Sequence, residues 1–341
     1  MIQKISITEA LQMPNSLFLD VRSPKEYEED HILGALSLPL LNDEERQEIG
    51  LIYKQQSREK AIERGMEWFP EKIPSIYSAV KDHKNKNLIV YCARGGMRSG
   101  IIASLLDSIG FNVFQVDSGY KAFRNYLVEK LQNFQLKPKI IVLYGLTCSG
   151  KTALLQRLPN SLDLEGLAEH RGSLLGAVGL QPNSQKKFEN LLLQRLEELQ
   201  KEKVIFVEGE SRRIGDVILP EFLYRAMQQG TKVFVKRSVE KRVEEAVKEY
   251  FNSQEKVNEI RGIIPTLRGT ISRKRKEEIV ALIDAGEYKE AVLILLQEYY
   301  DSLYLHNLKK QTYDFEIEND DVEKAVEGLR KKIKTIQKTK D

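Results

Sequence analysis

The stretch Gly145-Leu-Thr-Cys-Ser-Gly150-Lys151-Thr152 matches the spacing GxxxxGK[ST] at every position. Few short patterns constrain a fold as tightly, because such a loop works only between a buried strand and a helix. Both flanks are present. Lys139-Ile-Ile-Val-Leu-Tyr144 ends in a continuous apolar run, and Ala153-Leu-Leu-Gln-Arg-Leu158 continues as a helix. The glycines let the backbone curl so that successive N–H groups converge on phosphate oxygens, and the helix N-terminus adds a favourable dipole. Gly145, Thr147, Ser149, Gly150, Lys151 and Thr152 are therefore the candidate phosphate-binding residues. Lys151 is expected to reach a terminal phosphate, and the Thr152 hydroxyl is a candidate Mg²⁺ ligand. A carboxylate is expected at the end of a neighbouring strand. Glu208 fits, directly after Val204-Ile-Phe-Val207, with Glu where Asp is usual. Cys148, inside the loop, reads as a space-filling residue. The motif leaves open whether the phosphate belongs to ATP, GTP or another diphosphate.

The surrounding chain organises around that loop. Residues 1–134 alternate short apolar runs (Leu17–Val21, Leu88–Tyr91, Val113–Val116) with helical patterns, which predicts an α/β domain with a largely parallel sheet. Residues 42–76 are charged and aromatic and read as a helical insertion, with Tyr53, Trp68 and Phe69 as candidate stacking platforms. Residues 135–238 form a second α/β unit, with strands at Val204–Val207 and Lys232–Val235. From 239 to 341 the chain is helical in pattern and basic. Leu282, Ile283, Ala291, Val292, Leu295, Leu296 and Tyr299 recur at helical spacing on both sides of Gly286, an αα-hairpin signature. Residues 332–341 are expected to fray.

Net charge is only +3, so any nucleic-acid surface must come from local clustering. Such a cluster lies between Ile264 and Lys276, where Arg268, Arg273, Lys274, Arg275 and Lys276 occur with no acid. Two cysteines are too few for a disulfide framework, and no Cys/His spacing suggests zinc. The N-terminus lacks a signal-peptide core, and no apolar run approaches the ~20 residues that span a bilayer. The expectation is a cytoplasmic protein with reduced thiols and no membrane or DNA partner.

A second loop carries chemistry: Tyr91-Cys92-Ala-Arg94-Gly95-Gly96-Met97-Arg98-Ser99-Gly100. A cysteine at a strand end is followed by two glycines, an arginine at the sixth position after it, and a helix. The glycines allow N–H groups to converge, and that nest with nearby arginine charge should stabilise a thiolate. Such a thiolate can attack sulfur, selenium or phosphorus. Cys92, Arg94, Gly95, Gly96, Arg98 and Ser99 are the candidate catalytic residues.

With Asp20-Val-Arg22, Glu26 and His31-Ile-Leu-Gly34-Ala35 upstream, this loop resembles rhodanese domains. The resemblance implies that Asp20, Arg22, Glu26 and His31 tie together the loops near Cys92. The cysteine loop is one residue longer than the commonest rhodanese form. Cysteine-x5-arginine also occurs in phosphatases of this fold, so a sulfurtransferase or phosphatase coupled to an NTP-dependent domain stays open.

The fusion of the two loops, with Tyr120-Lys121-Ala-Phe-Arg124, Leu164-Glu165-Gly166, His170-Arg171-Gly172-Ser173 and Glu208-Gly-Glu210-Ser-Arg212-Arg213, resembles the tRNA 2-selenouridine synthase family over residues 1 to about 305. It implies a rhodanese-like α/β domain followed by a P-loop NTPase-like α/β domain with a helical C-terminal region. It further implies a tRNA carrying 2-thiouridine at the wobble position as partner, and selenophosphate and geranyl diphosphate as co-substrates, with no tightly bound cofactor. The implied reaction replaces sulfur by selenium through an S-geranylated intermediate. On this reading geranyl diphosphate belongs to the phosphate loop and selenium to Cys92. His170, Arg171, Glu210, Arg212, Arg213, Arg268, Arg273, Lys274 and Arg275 are candidates for contacting substrate or RNA.

Overall fold

The computed structural model describes residues 2–269 and 271–338. The chain divides into two compact units, Met1–Asn133 and Phe134–Asp341.

In the first unit the elements run β1 (Gln3–Ile5), α1 (Ile7–Gln12), β2 (Ser16–Asp20), α2 (Pro24–Glu29), β3 (Leu36–Ser37), α3 (Asp43–Gln55), α4 (Arg58–Val80), β4 (Asn87–Tyr91), α5 (Met97–Ser108), β5 (Asn112–Val116) and α6 (Gly119–Gln132). The five strands are all parallel, in the order β1-β5-β4-β2-β3. β4 is central and buried from Leu88 to Tyr91, as expected for a strand covered on both faces. That position delivers Cys92 to the carboxyl end of the sheet. The 42–76 insertion is a helical hairpin, α3 and α4. Asn42 and Glu45 close a capping box at its start, and Lys72 of α4 bonds Glu45 of α3 at 2.7 Å. Trp68 and Phe69 pack on the apolar core, and Arg64 covers the Trp68 ring. Of the three aromatics considered for base stacking, Tyr53 is exposed and these two are spent on packing.

The second unit begins with β6 (Lys139–Tyr144), α7 (Lys151–Leu155), β7 (Ser161–Leu162), α8 (Leu164–Ala168), α9 (Gln185–Leu199) and β8 (Val204–Glu208). A small hairpin follows, β9 (Arg213–Ile214) and β10 (Val217–Ile218), then α10 (Glu221–Gln229) and β11 (Thr231–Lys236). Next come the helices α11 (Val239–Tyr250), α12 (Gln254–Ile263), α13 (Arg273–Asp284), α14 (Tyr288–Ile294), a π-helical turn at Leu295–Tyr300, and α15 (Asp301–Lys309). The chain closes with β12 (Phe315–Glu318) and α16 (Val322–Lys338). The main sheet is parallel throughout, ordered β12-β11-β6-β8-β7. Its strand order turns at β6, so the phosphate loop sits where open α/β sheets present their crevice. Ile140 to Tyr144 of β6 are all buried, and each large aliphatic side chain there contributes about 1.5–3 kcal/mol.

Helices α11 to α14 share one apolar core that includes Val243, Ile260, Ile279, Ile283, Ala291 and Leu296. The hairpin expected around Gly286 is α13 and α14. Helical spacing did not reveal that the region also returns to the sheet. β12 pairs with β11, and α16 packs on α7 through Ala325 and Leu329. The four-residue run of β12 has one buried side chain, too weak a pattern to read before its partner strand is known. Helix α16 continues to Lys338 through much of the segment expected to fray, and residues 339–341 lie outside the described residues.

Candidate functional site

Cys92 follows β4 and is 4% exposed. Its Sγ accepts the Gly96 N–H at 3.3 Å and the Ser99 hydroxyl at 3.2 Å. Gln115 of β5 donates to the carbonyls of Gly95 and Gly96 and to Ser99 Oγ, which holds the donors in place. Burial works against the thiolate. The Ser99 hydroxyl, the Arg94 and Ser99 backbone groups and the Arg98 charge outweigh it, so the thiol sits below its ordinary value. Gly95 has φ +62°, and a Cβ there would lie 2.6 Å from the Val116 carbonyl and 2.7 Å from the Ser118 nitrogen. Only glycine fits.

Of the four upstream residues, Asp20, Arg22 and Glu26 join separate segments around Cys92, and His31 meets Tyr27 four residues before it. Asp20 and Arg22 form a buried pair at 2.6 Å, Arg22 also bonds the Asp30 carbonyl and lies over the Tyr120 ring, and Tyr120 donates to Asp30 at 2.6 Å. His31 stacks on Tyr27, ring to ring at 3.8 Å. Arg94 is exposed, whereas Arg98 is bonded to Glu26 at 2.7 Å. Arg98 therefore acts on Cys92 by its field, from a fixed position.

The phosphate loop leaves β6 and enters α7. Gly150 takes φ +82°, and a Cβ on it would lie 2.5 Å from Asn319 and 2.9 Å from Arg237. Asn319, just past β12, donates to the Ser149 carbonyl at 2.7 Å. Arg242 of α11 donates from Nε to the Thr147 carbonyl at 2.8 Å and grips Asp301 of α15 with both terminal nitrogens. None of Asn319, Arg242 or Asp301 is visible in the loop's own sequence. Lys151 Nζ lies 3.4 Å from the Gly145 carbonyl, inside a cavity of about 530 Å³. Its lining includes Gly145, Thr147, Ser149, Gly150 and Thr152 of the loop together with Tyr144, Tyr224, Tyr304 and Leu308. Burial pushes the Cys148 thiol up to about 12, consistent with a packing residue.

Glu208 departs from expectation. It is 1% exposed, does not line the cavity, and accepts the Glu165 N–H at 2.7 Å. That N–H belongs to the first turn of α8, where a donor lacks a helical partner, and a buried carboxyl satisfies it. Burial first, then the neighbouring Asp163 and Glu165, push Glu208 well above the ordinary carboxylate range. The acids that do line the cavity are Glu165, Glu210, Glu245 and Glu249, the last two paired with Arg237 and Arg171. Among the described residues no group of three or more His, Cys, Asp or Glu is placed to hold a metal ion. Thr152 itself lines the cavity with Lys151.

Arg171 lines the cavity and is paired with Glu249. His170 is outside the lining, accepting the Gly172 N–H at 3.1 Å, and burial lowers its pKa. Arg212 and Arg213 pair with Glu221 and Asp216 at 2.9 and 2.8 Å, on the surface and outside the cavity. The basic run meets acids in space. Arg275 bonds Glu278 and Glu298, Arg273 bonds Glu277, and Lys276 caps the carbonyls of Pro265 and Leu267. Arg268, Arg273 and Lys274 remain exposed.

Fold and loops together define a rhodanese-like domain joined to a P-loop domain. Known sequences agree: a family model for the rhodanese-like domain matches residues 6–126, and one for the tRNA 2-selenouridine synthase AAA domain matches residues 138–264. The chain belongs to the tRNA 2-selenouridine synthase family, enzymes that modify tRNA. Among solved structures, the N-terminal domain of a putative ATP/GTP binding protein from Clostridium difficile 630 is 44% identical, covering 38% of this chain and 99% of its own, with TM-score 0.36. A protein of unknown function, a possible tyrosine phosphatase, from Rhodopseudomonas palustris CGA009 is 21% identical, covering 37% of this chain and 81% of its own, with TM-score 0.24. Among the described residues no helix is long and apolar enough to cross a membrane.

Proposed function

We propose that the chain replaces the sulfur of 2-thiouridine at the tRNA wobble position by selenium, through an S-geranyl intermediate. The observation that carries this reading is the second unit's cavity, whose lining combines a phosphate loop with Lys151 and the side chains of Tyr144, Tyr224, Tyr304 and Leu308. A diphosphate with an apolar tail suits such a mixed lining, and a cavity of about 530 Å³ accommodates a molecule of that size. Alkylation converts the sulfur into a thiol leaving group, which selenium then displaces at C2. Cys92, with its thiolate supported by Gly96, Ser99 and the Arg98 charge, is assigned to delivering selenium from selenophosphate. Exposed Arg268, Arg273 and Lys274 are assigned to tRNA phosphates, each giving a salt-dependent contribution.

Mass analysis of the wobble nucleoside tests the proposal, after incubating 2-thiouridine tRNA with geranyl diphosphate and selenophosphate. The wild-type chain should yield 2-selenouridine, Cys92→Ala should stop at the geranylated nucleoside, and Lys151→Ala should leave 2-thiouridine. A Lys151→Ala chain that geranylates normally while losing selenation would reverse the allocation of the two sites. Unaltered tRNA combined with ATP turnover would move the NTP-dependent sulfurtransferase or phosphatase reading to the front.

A further inference from the structure

Glu165 and Glu210 enter the phosphate-loop cavity from the first turn of α8 and from just beyond β8. They converge at one place. A Cβ built on Gly172 would lie 2.6 Å from Glu210 Oε2 and 3.3 Å from Glu165 Oε1. Each carboxyl lies close enough to act on the other. Two carboxyls brought this close favour sharing one proton, which leaves a carboxylate free to accept another. Burial, then the charge of Glu210, raises Glu165 to about 8, and Lys151 pulls the other way. Asp163 and Tyr304 also face the pair. Glu208 stands behind it, with Oε1 on the Glu165 N–H and Oε2 buried with no hydrogen-bond partner among the described residues.

Resting on the function proposed above, S-alkylation of 2-thiouridine has a proton to dispose of. The thiocarbonyl sulfur bonds to C1 of the geranyl chain while the C1–O bond breaks and diphosphate leaves with the electron pair. The alkylated base is then cationic until its N3–H bond breaks and that pair forms the C2=N3 double bond. We propose that the Glu165–Glu210 pair is the base that accepts the N3 proton, ending with both carboxyls protonated. The other two acids lining the cavity are committed elsewhere, Glu249 to Arg171 and Glu245 to Arg237. Among the described residues no histidine lines the cavity, and Lys151 is assigned to the diphosphate. Among those residues the pair is thus the acceptor left at this site.

Single-turnover geranylation of 2-thiouridine tRNA, followed across pH, tests the assignment, with geranyl diphosphate binding measured calorimetrically on the same proteins. Glu165→Gln and Glu210→Gln should bind geranyl diphosphate at least as well as wild type and react roughly 10²–10⁴-fold more slowly at neutral pH. Their rates should climb with pH and approach the wild-type rate once N3 ionises in solution. Glu210→Asp, which keeps the carboxylate, should recover much of the neutral-pH rate. Glutamine variants with the wild-type rate and pH profile would overturn the base assignment alone. Loss of geranyl diphosphate binding in those variants would overturn it too, making the pair part of the binding site. If wild type produces no geranylated nucleoside, the proposed function falls and takes the base assignment with it.

Discussion

Replacing Arg242 by methionine removes a single side chain that ties three distant segments together. Its guanidinium is 4% exposed and its partner Asp301 14% exposed, with bonds of 2.6 and 3.0 Å between them and a third, 2.8 Å bond to the Thr147 carbonyl. Methionine keeps much of the aliphatic volume but leaves a buried carboxylate without its counter-charge. Breaking a buried pair by removing one partner costs about 3–5 kcal/mol. In a unit the size of Phe134–Asp341, each kcal/mol lowers Tm by about 2–4 °C. Thermal unfolding should therefore shift downward by roughly 6–20 °C for that unit. The double variant Arg242→Met/Asp301→Leu removes the stranded charge and should recover most of the loss. It does not restore the donor to Thr147, and a hydrogen bond from a charged group contributes about 1.5–3 kcal/mol. Calorimetric titration with geranyl diphosphate should thus show weakened binding in both variants, by about tenfold or more. A single variant that melts with the wild type, or a double variant no more stable than the single, would refute the stranded-charge account. Wild-type diphosphate affinity in the double variant would refute the role of Arg242 in ordering the loop.

Peptide mapping after alkylation with a small electrophile should find Cys92 modified with an apparent pKa below that of a free cysteine, and Ser99→Ala should move it upward. Cys148 should stay unmodified at mildly alkaline pH because burial holds its thiol at about 12; equal labelling of the two would contradict the site geometry. Gly95→Ala must place a methyl against two backbone groups at 2.6 and 2.7 Å, so selenium incorporation should be lost, while geranyl diphosphate binding by the second unit persists. The same activity in the alanine variant would show that the loop tolerates another path. Glu208 has a folded-state pKa raised above its unfolded value near 4.5, so its contribution to stability is fully present below that value and is lost as pH rises toward the folded one. Urea unfolding should show the wild type weakening across this window and Glu208→Gln weakening less; parallel curves would remove Glu208 as the cause.

Both reactive loops were readable from the chain because their geometry is local. Glycine spacing after an apolar strand specifies where backbone N–H groups point, whatever else the protein does, so the Cys92 nest and the Gly145–Thr152 cradle follow from contiguous residues. The parallel sheets follow almost as directly from buried runs such as Ile140–Tyr144. Spatial neighbours far apart in sequence were beyond that reading. Asn319 reaches Ser149 across 170 residues and Arg242 reaches Thr147 across 95. The cavity lining gathers Tyr144, Tyr224 and Tyr304 from three separate elements. Glu208 misled because a strand-end position shows which end of the sheet a residue occupies and not where its carboxyl is needed; the unpaired N–H of α8 claims it, and Glu165 and Glu210 face the cavity instead. The pairing of Arg275 within the basic run was equally out of reach, since Glu298 lies 23 residues on and meets it only after the helices fold back. The sequence by itself determined where the two loops gather their backbone N–H groups, because backbone curvature is a short-range property. Only the tertiary structure decided which charges stay free to serve them, because pairing depends on distance in space.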